Sequence, residues 1–361
     1  MTRAHGGVVL AATVLSVLVA LGLSAALILV TGFSPGAALT ALYTGSLGSG
    51  SAITSTLLYT APLLLVAAGS CVSSRAGVFN IGQEGQVLIG ALAGAWAGLR
   101  VAIDGPGLLI LVLLAAALGG GGWAGLSALM HRRGVNIVVS TLLMTFIAAQ
   151  VISFAVSMPW FLQQSRGTKL VLAAQSNQMP VNARLGSNAG LMIAVGLAIG
   201  VAVALVHTRW GFRLKVVGLS PAAARHSGVR VDRISGLALV LSGAFSGLAG
   251  AVLLAGPIGN HRLQPGMSSN LGWDGLLVAL VARNRPLLCL PVAFGFGVLR
   301  SGGNFLSATG VPFYLVDVAK SLLVLALVVP PVAADRIERT RRQRKLRVVT
   351  SAAPERTMDT V

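Results

Sequence analysis

Long apolar runs separated by short polar or basic segments dominate this chain. A helix that crosses a bilayer needs about 20 mostly apolar residues. On that criterion we predict about ten membrane-spanning helices, at residues 8–31, 54–74, 81–99, 107–130, 135–157, 189–207, 234–255, 271–282, 287–305 and 312–333. Segment 35–50 is too rich in Gly and Ser to cross, so we expect an external loop or a helix on the membrane surface. The predicted fold class is an all-α, polytopic membrane protein.

Composition points to the same class. The 361 residues are 55% hydrophobic and only 10% charged, whereas soluble domains carry about 25% charged residues. The net charge of +18 comes from basic residues in short loops and in a tail, not from basic residues interleaved with exposed aromatics. This placement disfavours nucleic-acid binding.

The distribution of basic residues predicts the orientation. With the N-terminus in the cytoplasm, the inside segments hold roughly four times as many Lys and Arg residues as the outside segments. The chain is therefore predicted to be N-in and C-in, with an even number of spans. We divide it into a transmembrane domain at residues 1–333 and a basic cytoplasmic tail at 334–361, which is typical of an anchor against anionic lipid headgroups.

Two segments share nearly the same six residues. Asn80–Gly85 reads Asn-Ile-Gly-Gln-Glu-Gly, and Asn270–Gly275 reads Asn-Leu-Gly-Trp-Asp-Gly. Each opens a short apolar run, and an offset of five predicted spans reverses the orientation of the second copy. If this echo is not a coincidence between segments rich in small residues, it indicates an inverted repeat of two halves. That architecture is typical of transporters that work by alternating access.

The two motifs supply the candidate residues for a substrate pathway and its gating. Glu84 and Asp274 fall in the first turn of their helices, where a carboxylate complements the helix dipole. Asn80 and Asn270 are expected to act as helix caps. Two interpretations stay open, simple capping and gates of a polar pathway. The candidate residues are Asn80, Gly82, Glu84, Gly85, Asn270, Gly272, Trp273, Asp274 and Gly275.

Three further ionisable residues fall inside predicted spans. Asp317 and Lys320 are three positions apart on one helix and are expected to pair. Arg300 is the third. Cys71 and Cys289 lie at or in apolar segments and are expected to be small buried hydrophobes.

The basic loop 208–233 contains a predicted helix of about two turns. Ser220 suits the N-cap, Pro221 the first helical position, and Gly228 the stop. We expect turns on both sides of it. A small capped helix of this kind fits either a groove in a motor subunit or a basic interfacial site on anionic lipid. The residues concerned are Gly218, Ser220, Pro221, Ala222, Ala223, Ala224, Arg225 and Gly228.

The sequence contains no phosphate-binding loop of the Gly-x-x-x-x-Gly-Lys-Ser/Thr type, no His-Glu-x-x-His, no Cys-x-x-Cys and no Gly-x-Ser-x-Gly. Those patterns carry nucleotide binding, metal chemistry and nucleophilic catalysis. The five histidines are scattered near loops. The chain is therefore not expected to be an enzyme, nor to hold a cofactor or a metal.

Four segments carry a resemblance to a known family. Val78–Gly90, Gly134–Met144, Gly211–Gly228 and Gly272–Asn284 resemble the permease subunits of bacterial nucleoside ABC importers. These belong to a wider group with ribose, simple-sugar and branched-chain amino-acid permeases. The similarity covers roughly residues 54–330 in the expected order.

The resemblance implies a multi-pass permease of the bacterial cytoplasmic membrane, moving nucleosides inward at the expense of ATP. It implies a second homologous permease, most simply in a heterodimer, an ATP-binding cassette subunit that holds ATP and Mg²⁺, and an external substrate-binding lipoprotein. It marks Ser220–Gly228 as the coupling helix. The alternatives are an ABC permease for ribose, simple sugars or another small polar solute, and an ion-coupled secondary transporter that uses Glu84 or Asp274.

Three positions depart from the family pattern. Ile137 and Thr145 stand where family members often carry Glu and Asn, and Ala282 replaces a frequent Gly. The first two changes remove polar groups from a span that is expected to line the pathway. They bear on the substrate more than on the fold.

Overall fold

The computed structural model describes residues 3–164, 174–186, 188–310, 312, 314–330 and 333. The predicted tail lies outside these residues. The helices are α1 (Arg3–Val30), α2 (Pro35–Ser46), α3 (Gly50–Arg75), α4 (Gln83–Arg100), α5 (Gly107–Arg132), α6 (Ile137–Ser157), α7 (Ala189–His207), α8 (Arg209–Leu219), α9 (Pro221–His226), α10 (Val231–Ala255), α11 (Leu271–Val281), α12 (Pro286–Ala308) and α13 (314–330). Within the described ranges the only β feature is one bridge, between Gln163 and Ser176. The predicted all-α class is confirmed.

Every predicted span lies on a helix. Within the described part of the chain, seven helices are long and apolar enough to cross a membrane, namely α1, α3, α5, α6, α7, α10 and α12. The helix α11 is apolar but has only 11 residues, which is about 16 Å or half of a hydrocarbon core. The number of crossings and the cytoplasmic side remain predictions. Segment 35–50, expected as a loop or a surface helix, contains helix α2.

The chain forms two compact units. One consists of the segments up to Ala38 and from Gly310 onwards, and the other is Leu39–Thr309. In the first unit, Lys320 Nζ lies 2.9 Å from Asp317 Oδ1, so the predicted pair is confirmed. In the second unit, α3 and α10 are the most deeply buried of the seven long apolar helices, and they pack against each other.

The helices on either side of the first motif pack against the helices on either side of the second. The helix α3, which precedes the first motif, packs against α11, which follows the second motif. Likewise α10, which precedes the second motif, packs against α4, which follows the first. Two interlocked halves would give this reciprocal pattern, although the inverted repeat itself stays a prediction.

Glycines allow α4, α5 and α10 to touch through their backbones. A Cβ atom at Gly247 on α10 would overlap the carbonyl oxygen of Ala116 on α5. A Cβ at Gly243 would lie 2.5 Å from the carbonyl oxygen of Gly120, and one at Gly90 on α4 would overlap the Cα atom of Gly247. Small residues permit such close approach between helices in lipid, where van der Waals packing drives association. Gly247 is therefore the closest point of the three-helix crossing.

We expect Gly247→Ala to destabilise the protein, because the added methyl group must push α5 and α4 away from α10. Overpacking of this kind costs about 1–3 kcal/mol. Thermal unfolding of the purified protein in detergent measures the effect. Gly122→Ala on α5 is the matched control, because nothing lies within 4 Å of its Cβ position. Equal melting temperatures for the two variants would contradict the crossing.

Candidate functional site

The first motif leads into α4 through a buried polar cluster. Asn80 Oδ1 accepts a hydrogen bond from the Gly82 amide at 3.1 Å, and Asn80 Nδ2 donates to Gln86 Oε1 at 2.9 Å and to Ser242 Oγ at 3.0 Å. The N-cap of α4 is Gly82 and has no side-chain hydrogen bond. The expected capping role of Asn80 is therefore wrong. Asn80 precedes the N-cap by two positions, and its amide binds Gln86 and α10 instead.

Gln83 extends this cluster to a third helix. Its side chain accepts a hydrogen bond from Ser70 Oγ at 2.7 Å and donates to the Val66 carbonyl at 3.1 Å and to Ser242 Oγ at 3.3 Å. The first motif is thereby attached to α3 and to α10. Sequence reasoning missed Ser70 and Ser242 because each lies on another helix and neither belongs to a spaced motif.

The second motif contains the N-terminus of α11, where the N-cap residue has an unusual backbone conformation. Asn270 is the N-cap residue, with φ 67°, and its side chain makes no capping hydrogen bond. The expected side-chain cap at Asn270 is therefore wrong, because an N-cap side chain normally reaches back from an extended backbone. An oxygen from the first motif takes this role, since Glu84 Oε2 accepts from the Gly272 amide at 2.6 Å.

The two motifs are in direct contact at Gly272. A Cβ atom there would overlap the backbone of Glu84, so only glycine allows the two helix N-termini to approach this closely. The Glu84 carboxylate occupies the first turn of α4 and caps α11. One carboxylate thus complements the positive ends of two helices.

A buried ion pair lies beside this contact. Arg300 Nη1 on α12 is 2.9 Å from Asp274 Oδ2, and the two side chains are only 9% and 5% exposed. The Arg300 guanidinium also donates to the carbonyl oxygens of Ser268 at 2.6 Å and Ser269 at 2.9 Å, and it lies 5.7 Å from the Tyr59 ring centroid. A charge buried at membrane depth needs such partners. The sequence identified both ionisable residues but gave no reason to pair them.

Ser268 joins the ion pair to the helix cap. Its hydroxyl donates to Glu84 Oε1, while its carbonyl oxygen accepts from Arg300. We call Glu84, Ser268, Gly272, Asp274 and Arg300 the motif junction. It connects α4, the loop before α11, α11 and α12 through consecutive polar contacts.

The remaining motif residues are mostly buried by neighbouring helices. A Cβ at Gly82 would lie 2.7 Å from the Thr141 carbonyl oxygen, and one at Gly85 would lie 2.8 Å from the Thr145 Cα. Gly275 packs against Val66 of α3. Among the candidate pathway residues, Asn270 is exposed and Trp273 is partly exposed. In this conformation the first motif is structural core, and the second reaches a surface.

The loop 208–233 contains the predicted short helix and a second one that was not predicted. Ser220 caps α9 by accepting from the Ala223 amide at 3.3 Å, Pro221 is its first residue, and Gly228 has φ +75°. The predicted start and stop are confirmed. The expected turn before α9 is wrong, because α8 occupies it and buries Gly211, Leu214 and Val217.

Burial divides α9 into two faces. Ala224 is fully buried in a small cluster with Val217 and Val231. Ala222 and Ala223 are exposed. The helix is therefore fixed on one side and offers a flat surface of small side chains on the other.

Cys71 and Cys289 are both buried, as expected, and their Sγ atoms lie 3.6 Å apart. Among the described residues, no group of three or more His, Cys, Asp or Glu side chains could hold a metal ion.

Comparison with protein families supplies an identity for this architecture. The model of the branched-chain amino acid transport system/permease component family matches residues 52–329. The chain belongs to this family. It is a permease subunit of an ABC transporter, and with its seven long apolar helices it is an integral membrane protein.

Curated relatives of the permease cover most of its length. It is 31% identical to the glucose ABC transporter permease protein of Haloferax volcanii, over 87% of this chain and 86% of the relative. It is 29% identical to the guanosine ABC transporter permease protein of Bacillus subtilis, over 86% and 90%. It is also 29% identical to the nucleoside permease protein of Lactococcus lactis, over 85% and 87%. No solved structure matches the chain.

We expect Arg300→Gln to destabilise the permease, because the buried Asp274 carboxylate would then lose its ion pair with the guanidinium. Removing one partner of a buried pair costs about 3–5 kcal/mol. The double variant Asp274→Asn/Arg300→Gln should recover part of this loss. Thermal unfolding of the two single variants and the double variant measures the coupling. Additive losses would show that the pair contributes nothing.

Proposed function

We propose that the permease moves nucleosides into the cell as part of an ATP-driven importer. The observation that carries this proposal is its similarity to guanosine and nucleoside permease proteins over at least 85% of its chain. A simple sugar is the second candidate substrate, because the relative from Haloferax volcanii is named as a glucose permease and is 31% identical.

The mechanism we propose is alternating access about the motif junction. The Glu84 carboxylate binds the Gly272 amide across the two motifs, so a displacement of α11 must act directly on α4. Charged and amide hydrogen bonds of this kind are strong in a low-dielectric interior. Such contacts can stabilise one of two packed arrangements until an external force makes the other more stable.

We place the substrate path beside the second motif. Asn304 on α12 is exposed and donates to the Tyr59 hydroxyl at 2.8 Å. The Tyr59 ring also lies beside Arg300, which binds the carbonyl oxygen of Ser269 next to the exposed Asn270. Polar side chains on a membrane helix favour a water-filled path or a protein partner over lipid. The first motif, whose Asn80 and Gly85 are buried, would pack behind the residues that line this path.

The force would enter through α9. Its exposed Ala222 and Ala223 suit a groove of an ATP-binding cassette subunit, and its buried Ala224 transmits displacement to α8 and α10. ATP and Mg²⁺ would reside on that cytoplasmic subunit, while the permease itself lies in the bacterial plasma membrane. An external binding lipoprotein would deliver the substrate.

A second permease completes the proposed assembly. Two different guanosine permease proteins of Bacillus subtilis match this chain, at 29% and 28% identity. Such a pair supports a heterodimer. Membership in the ABC family argues against the ion-coupled alternative, which would need Glu84 or Asp274 to carry a proton or ion.

Uptake by the reconstituted complex tests the proposal. We expect ATP-dependent accumulation of labelled guanosine, with unlabelled nucleosides competing and glucose not competing. Vesicles that contain only this chain should show no uptake. If glucose competes and the nucleosides do not, the result favours a sugar as substrate. If a protonophore abolishes uptake at constant ATP, the result favours ion coupling.

We expect Ala223→Glu to abolish coupling, because a long charged side chain would prevent α9 from seating in its groove. Uptake should fall by at least about tenfold, which corresponds to about 1.4 kcal/mol of lost interface energy. The measurements are uptake and the ATPase rate of the reconstituted complex. Ala102→Glu is the matched control, at an exposed alanine on the side predicted to be external. Unchanged uptake in the Ala223 variant would refute the docking role.

A further inference from the structure

A cavity of about 290 Å³ lies where the C-terminal end of α3 meets α8 and the turn between α11 and α12. Three separate segments together contribute four basic side chains to it. We call it the basic pocket, and its basic residues are Arg75, Lys215, Arg283 and Arg285. The positive-inside prediction assigns all three segments to the cytoplasmic side. The positive-inside rule explains why these loops are basic, but it does not require that their side chains converge on one cavity.

The charge of the basic pocket is not balanced within the described part of the chain. None of the carboxylates described there forms an ion pair with these four side chains. Arg75 Nε is buried and has no hydrogen-bond partner among the described residues. Several positive charges around one small cavity repel one another, and a bound anion would offset that repulsion.

The backbone beside the basic pocket is also suited to an anion. Arg283 and Asn284 both have φ 53°, and this tight turn brings Arg285 to the pocket wall. Arg285 is the N-cap of α12, so the N-terminal end of that helix adjoins the pocket. A helix N-terminus carries a partial positive charge that favours anionic groups.

The segments that line the basic pocket also carry exposed apolar side chains. Leu219, which lines it, is 76% exposed, and Leu287 and Leu288 at the start of α12 are 55% and 45% exposed. Phe212 on α8 is 67% exposed. Basic residues next to exposed apolar residues are typical of a segment at the membrane interface.

We propose that the basic pocket binds the headgroup phosphate of an anionic phospholipid, whose acyl chains lie along Leu287 and Leu288. The phosphate would accept hydrogen bonds from the guanidinium groups of Arg75, Arg283 and Arg285, which suit phosphate geometry. Basic pockets between membrane helices on the cytoplasmic side bind such headgroups. The lipid would thereby join α3, α8 and α12 near the coupling helix.

Native mass spectrometry of the full chain, titrated with dioleoyl phosphatidylglycerol, tests the proposal. We expect tighter binding of phosphatidylglycerol than of phosphatidylcholine. The variant Arg283→Gln/Arg285→Gln should weaken phosphatidylglycerol binding about 30-fold, because each basic residue near a membrane surface contributes about fivefold. Lys215→Gln, an exposed position, should give about a fivefold loss even if the double variant folds poorly.

Arg132→Gln/Arg133→Gln is the matched control, with the same charge change at exposed residues on the same predicted side. Equal weakening in this control would show diffuse surface charge and overturn the assignment. Unchanged binding in the Lys215 variant would also overturn it. If glycerophosphoglycerol, the headgroup without acyl chains, competes at the same concentration as the lipid, the site takes a soluble phosphate and the lipid assignment is wrong.

Discussion

The hydrogen bond from the Gly272 amide to the Glu84 carboxylate organises the centre of this permease. It joins two helix N-termini, which would otherwise present unpaired amide groups to one another in an apolar interior. Backbone groups buried without partners at membrane depth cost several kcal/mol each. The contact with Ser268 and the neighbouring Asp274–Arg300 pair complete the arrangement. The short helix α11 can begin inside the protein because these groups satisfy its first turn.

Hydropathy was sufficient to predict the apolar helices, because each depends on local composition, but it missed α8. The cap at Ser220 and the stop at Gly228 were also local and were confirmed. The predicted capping roles of Asn80 and Asn270 were wrong. The Asn80 side chain binds Ser242 on α10, and Glu84 on α4 caps α11 in place of Asn270. The partner of Arg300 could not be predicted either, because nothing in the sequence specifies which helix faces α12.

The internal echo was the most informative pattern in the sequence, yet its two copies have different environments. The first copy is enclosed by α3, α6 and α10, while the second reaches a surface through Asn270 and Trp273. Similar residues are therefore buried in the first copy and partly exposed at a surface in the second. Thr145 packs against Gly85, so in this conformation it lies at the contact between α6 and α4.

The glycine crossing of α4, α5 and α10 limits how the permease can change shape. Backbones that touch at Gly90, Gly120 and Gly247 interlock and leave no side chains that could change rotamer to let the helices slide. These three helices would have to move as a single block. Any rearrangement inside the Leu39–Thr309 unit would then occur in the segments around that block, among them the left-handed turn at Arg283 and Asn284 that precedes α12.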